Sequence, residues 1–89
     1  MSDEAQVQMP RYKSHKLVWA LRINAIEFNQ DGSAKIAPAE AGYAAFTTKP
    51  GFSGRFKGDE ADLGYYVVYA DGYQSWSPTA AFEDGYSRL

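Results

Sequence analysis

From Leu17 to Phe28 the chain reads LVWALRINAIEF, its longest apolar-rich stretch, and the period of that stretch decides what the chain can fold into. Leu17, Trp19, Leu21 and Ile23 alternate with Val18, Ala20, Arg22 and Asn24, which sets one strongly apolar face on a strand. After Asn24 the phase slips by one, so that Ile26 and Phe28 become the apolar pair around Glu27. One extra residue in an otherwise regular strand is what a β-bulge produces. Leu17, Leu21 and Ala25 are also spaced for a helix, but the β-branched and aromatic content favours a strand.

Asn29-Gln30-Asp31-Gly32 follows as a turn, because Asp-Gly readily takes the positive φ of tight hairpins. Ser33 to Ala37 returns as a second strand, stopped by Pro38, which cannot donate to a ladder. Ala39 to Phe46 fits either a turn of helix or an extended linker, since Ala and Glu favour helix while Gly42 opposes it. Gly51 to Gly64 holds four of the eight glycines and both signs of charge. It reads as a long surface loop, partly docked by Phe52 and Phe56. Tyr65 to Ala70 (YYVVYA) is apolar on both faces, as a central strand is. Asp71-Gly72 is a second hairpin turn, and Tyr73 to Trp76 pairs back. Ser77 reads as an N-cap and Pro78 as the first residue of a helix. That helix covers Thr79 to Asp84, turns Phe82 inward and ends at Gly85. Tyr86 to Leu89 reads as a last edge strand. Residues 1–11 read as a disordered tail and 12–89 as one small α+β domain. Its expected architecture is a small twisted antiparallel sheet of two hairpins, a partial barrel, with a short C-terminal helix packed on it.

Composition narrows the function classes. A chain of 89 residues buries only about 60–65% of its unfolded surface, so the core is thin. Without cysteine there is no disulfide, no thiol chemistry and no thiolate metal site. A single histidine, His15, excludes a two-histidine zinc site and reads as a surface residue. A net charge of −2 leaves no footprint for duplex nucleic acid. No apolar run approaches the ~20 residues of a membrane span, and MSDEAQVQMP lacks the segments of a signal peptide, so a cytoplasmic setting is expected.

No Ser/His/Asp order or nucleophile–base pair stands out, and neither an enzyme nor a cofactor is expected. Asp59, Glu60 and Asp62 lack the alternating oxygens of a calcium loop and read as a solvated acidic loop. Lys49, Arg55 and Lys57 lie in KPGFSGRFKG, where glycine-freed N–H groups and cations suit an anion, although the Walker pattern is absent. Aromatics make up 16% of the chain, led by seven Tyr. In YYVVY, Tyr65, Val67 and Tyr69 share one face and Tyr66 and Val68 the other. A thin core cannot bury both sets deeply, so one lines a surface or groove, where stacking a base is worth about 1–3 kcal/mol. The candidate ligand-binding residues are Trp19, Tyr66, Tyr73 and Trp76 for stacking, with Arg55 and Lys57 for phosphate.

The block GYYVVYADGYQSWSPTAAFEDGYSRL at the C-terminus, with YKSHKLVWALRI at Tyr12 to Ile23, resembles a family of short proteins encoded by tailed phages and prophages. The DGY-x-SWSP-x-x-x-F-E order carries the likeness, which covers a little under half of the chain. It implies an accessory protein acting in the cytoplasm of a bacterial host. More remotely, Val67-Val68-Tyr69, Asp71-Gly72, Trp76, Pro78 and Glu83-Asp84 stand in an order similar to that of the Thoeris-inhibiting phage sponges, which sequester cyclic ADP-ribose-type signals. The leading helix of those proteins has no counterpart here. This likeness implies a non-enzymatic module that sequesters a small nucleotide-like immune signal. The alternatives are a protein-binding inhibitor of a host defence complex and a phage structural or interaction protein. Self-association through strand edges, giving a homo-oligomer, also suits so thin a core.

Overall fold

The computed structural model describes residues 17–88. The expected tail, His15 and Leu89 lie outside the described residues. Five strands form one open antiparallel sheet in the order β3-β2-β1-β4-β5. They are β1 (Val18–Phe28), β2 (Ala34–Pro38), β3 (Phe46–Thr47), β4 (Tyr65–Tyr69) and β5 (Gln74–Ser77). Two short helices accompany them, α1 (Phe52–Arg55) and α2 (Thr79–Gly85). The result is a small α+β fold whose sheet does not close.

The two expected hairpins are β1–β2 and β4–β5, and β1 joins them. Its register shifts between Ile23 and Ala25, at the bulge expected from the phase slip. Val18 to Arg22 pair with β4, and Ile23 and the residues after the shift pair with β2. The two turns are built alike. Gly32 N–H donates to Asn29 O (3.2 Å) and Gly72 N–H to Tyr69 O (2.8 Å). Asn29 N–H to Ser33 O and Tyr69 N–H to Tyr73 O, both 2.9 Å, close the strand ends. Only the glycines take positive φ, 86° and 89°, so each turn is a three-residue loop ending in a glycine bulge. Asp31 and Asp71 accept the N–H two residues on, each at 2.9 Å. The same pattern, Asp-Gly followed by a buried first strand position and a closing proline, recurs in DGSAKIAP and DGYQSWSP.

The core lies on one face of the sheet. Ile23, Ala34 and Ile36 are buried there against Phe52. Phe52 docks as expected, but the segment expected as a plain loop forms the helical turn α1 there. Gly51 and Ser53 donate N–H groups to Gly32 O, both at 3.0 Å. The Gln74 side-chain amide donates to Lys49 O (3.1 Å) and Pro50 O (3.3 Å). These bonds tie the segment to both hairpins and drive Phe52 between them. The rings around it meet edge-on, Phe52 with Tyr66 at 72° and Phe56 with Trp76 at 62°, as aromatic quadrupoles prefer.

The other face carries α2, where Phe82 stacks on Tyr65 (4.2 Å between centroids, 23°) and Tyr86 on Phe82 (4.7 Å, 18°). Val67 is buried on this face. Ser77 is not the cap. Its hydroxyl donates to Pro78 O, and Pro78 itself holds the N-cap position with no side-chain bond. Asp62 supplies the missing acceptor from a distant loop, taking Thr79 N–H (3.2 Å), the Thr79 hydroxyl (2.6 Å) and Gly64 N–H (3.0 Å). Gly85 closes the helix without a left-handed φ. Residues 86–88 form no strand. Tyr86 N–H instead bonds back to Phe82 O, and Arg88 pairs with Glu40 at 2.7 Å. Residues 39–45 are bend, turn and coil rather than helix, because Gly42 takes φ 96°. Among the described residues no helix is long and apolar enough to cross a membrane.

Candidate functional site

The site grows from one row of side chains across the core-side face. Trp19 stands opposite Val68, and Val68 opposite Gln74. Adjacent strands lie about 4.8 Å apart, which puts Trp19 and Gln74 roughly 10 Å from each other. Gln74 is roofed by the Lys49 and Pro50 carbonyls that its amide binds. Trp19 is 60% exposed. In that row Val68 lies between the exposed indole and the wall made by the chain entering α1.

Arg55, the last residue of α1, closes that wall. Its guanidinium carbon sits 4.6 Å from the centroid of Tyr73, a cation–π contact of about 0.5–1 kcal/mol at an exposed site. Its Nε–H is buried with no hydrogen-bond partner, a donor that costs stability until an acceptor arrives. Lys49 Nζ reaches the Gly72 turn beside Tyr73. Two cations and a half-exposed tyrosine therefore meet at the tip of the second hairpin. Asp71 lies in the same turn, its Oδ1 engaged by Tyr73 N–H.

The charge pattern elsewhere sets this corner apart. Arg88 is paired with Glu40, and Lys35 stands directly opposite Glu27 in the β1–β2 register. Arg22 lies close enough to Asp62 to help hold its carboxyl below the usual range. Among the described residues Lys49 and Arg55 make no such ion pair.

Of the six residues singled out from the sequence, the structure brings Arg55 and Tyr73 together. Trp19 lies in the core-side row, whereas Tyr73 stacks on Tyr69, which shares a face with Tyr65 and Val67. Lys57 is exposed beyond α1 and is not part of the corner. Tyr66 and Trp76 pack in the core. The Tyr66 ring meets Phe52 and Phe46, its hydroxyl donates to Gln74 Oε1 (3.2 Å), and burial pushes its pKa up. Trp76 Nε1–H donates to Leu63 O at 2.8 Å. Lys49, first noticed only as part of a basic segment, is the added member. Its signal was the Gly72 turn, which spacing alone could not bring near it.

The acidic loop proves structural rather than merely solvated. Asp59 accepts the Ala61 and Asp62 N–H groups, and Asp62 caps α2. The Thr79 hydroxyl, ahead of the backbone N–H groups, holds the Asp62 carboxyl below the usual range. Among the described residues no group of three or more His, Cys, Asp or Glu could hold a metal ion.

Two shallow depressions mark the surface. One of about 350 Å³ is lined by Leu17, Tyr69, Ala70 and Asp71, and one of about 140 Å³ lies over Ala25, Ile26, Glu27, Lys35, Ala37 and Ala45. The larger abuts the Tyr73 corner, because Tyr69 and Tyr73 stack at 6.0 Å and 29°. Comparison of the chain with family models, with curated proteins and with solved structures finds no match.

Proposed function

We propose that this chain is a non-enzymatic binding protein that holds an anionic, ring-bearing ligand at the Lys49–Arg55–Tyr73 corner. The observation that carries the reading is Arg55, stacked over Tyr73 with its Nε–H buried and unpartnered. A phosphate on Arg55 and Lys49 would supply the missing acceptor, and a planar ring would lie on Val68 between the corner and Trp19. Nucleotides combine these two chemistries. The likeness to phage accessory proteins and to nucleotide sponges favours a cyclic-nucleotide immune signal of the bacterial host, bound in its cytoplasm as a counter-defence.

A second reading has its own support. The depressions are shallow, while Leu17, Trp19 and Tyr73 are each at least half exposed. An open surface with Trp, Tyr and Arg on it is also what a protein-binding hot spot looks like, which would make the chain an inhibitor of a host complex or a phage interaction protein.

Native mass spectrometry of the protein isolated from phage-challenged bacteria separates the two. A small adduct, released on denaturation and absent from Arg55→Ala, supports the nucleotide reading. A stoichiometric host protein lost in Tyr73→Ala and Trp19→Ala supports the second. Partners retained by all three variants contradict both.

A further inference from the structure

β1 carries an unprotected edge. Tyr69 N–H points to β5 by donating to Tyr73 O, and Ile23 N–H reaches Gly64 O on β4. In an antiparallel ladder the backbone groups of alternate residues point to opposite sides. The bonding groups of Trp19 and Leu21 therefore face β4, while those of Val18, Ala20 and Arg22 face away from it. Arg22 O is taken by Ala39 N–H at 2.8 Å, but there the first hairpin bends off. Among the described residues nothing bonds the N–H and C=O groups of Val18 and Ala20 on that side. Leu17 to Leu21 reads LVWAL, with no charge, proline or bulge to guard that side, although natural edges are usually guarded.

We infer that this edge pairs with the same edge of a second copy, antiparallel, about a two-fold axis at Trp19. The register is self-complementary. Val18 of one copy exchanges both hydrogen bonds with Ala20 of the other, and the reverse. Trp19 then faces Trp19 of the partner subunit at the non-hydrogen-bonded position, where Cα atoms stand about 4.5 Å apart and side chains are closest. Cross-strand aromatic pairs are among the favourable ones, and Trp19 is 60% exposed and available. No charge lies between Leu17 and Leu21, so the five paired positions themselves bring no like charges together. The pairing stops at Arg22, where Ala39 already sits. A five-residue edge buries less than the ~1,600 Å² of a standard interface, so the dimer is reversible on dilution. It joins two sheets into one and sets two Arg55–Tyr73 corners in one assembly.

Sedimentation velocity across a wide concentration range tests this, with circular dichroism to confirm folding. The wild type is expected to move from monomer to twice that mass as concentration rises. Ala20→Pro removes an N–H that faces only the open side, so it is expected to keep the wild-type spectrum and remain a monomer. If Ala20→Pro fails to fold, Trp19→Lys decides the matter, since it sets like charges together at the two-fold axis. A wild type that stays monomeric throughout overturns the inference, as does a dimer that persists in the folded variants.

Discussion

At the scale of single residues, side chains that looked interchangeable in the sequence have separate duties. Asp62 was one of three clustered carboxylates, yet it alone reaches Thr79 and caps a helix that its own N-cap residue cannot serve. Asp62→Ala is expected to lower the melting temperature by several degrees while leaving the sheet intact, as thermal melts will show. The pH dependence follows from the direction of the shift. The folded carboxyl is held below its unfolded value, so its contribution is complete above the unfolded pKa and is lost as pH falls through the folded one. Melts in acid should therefore converge for wild type and variant, and a gap that persists well below the ordinary carboxylate range would contradict the capping role. Gly64 is equally specific. It takes φ +72°, and a Cβ there would run into Ser77 O and stand 2.6 Å from Trp76 Nε1. Gly64→Ala combines left-handed strain with a backbone clash and is expected to cost about 3 kcal/mol or more in denaturant titration. None of this is legible from residue type, because the partners come from loops that converge only in the folded chain.

At the scale of elements, the strands were legible and the connections were not. The slip after Asn24 announced the bulge in β1, and the two Asp-Gly pairs announced both hairpins, because strand period and turn chemistry are local properties. Asp-Gly pointed to the positive φ of tight hairpins, and in the three-residue loops that form the glycine takes it while aspartate keeps ordinary φ. In the segment from Gly51 the docking of Phe52 and Phe56 was legible but the helical turn was not, because glycine and charge leave no sustained period in any local window. Among the described residues Phe52 is the largest fully buried side chain, placed there by bonds to both hairpins. Phe52→Ala is expected to cost about 3–5 kcal/mol, a large part of the roughly 5–15 kcal/mol that holds a small domain folded. Chemical denaturation should show a collapsed midpoint, and a near-wild-type midpoint would mean that α1 is not part of the core. The candidate site divides in the same way. Trp19 and Tyr73 were identifiable as large rings on a thin sheet, but Tyr66 and Trp76 could not be told from them. Their burial depends on α1, which local pattern did not place.

At the scale of the whole molecule, one face of the sheet is packed by edge-on rings under α1 and the other by parallel rings under α2. Both faces run toward the tip of the second hairpin, where Tyr69 stacks on Tyr73 and Arg55 lies over Tyr73. Among the described residues Arg88, Lys35 and Arg22 have acidic neighbours, whereas Lys49 and Arg55 make no ion pair at this tip. The central claim is that Lys49, Arg55 and Tyr73 act together as a binding site. The most direct test is a titration of isotope-labelled protein with a panel of cyclic nucleotides, followed residue by residue in amide nuclear magnetic resonance spectra. The account predicts saturable shifts at Lys49, Arg55, Gly72 and Tyr73, extending to Val68 and Trp19 and abolished by Arg55→Ala. Shifts that never saturate, or that gather on the α2 face while leaving the hairpin tip unchanged, would contradict it.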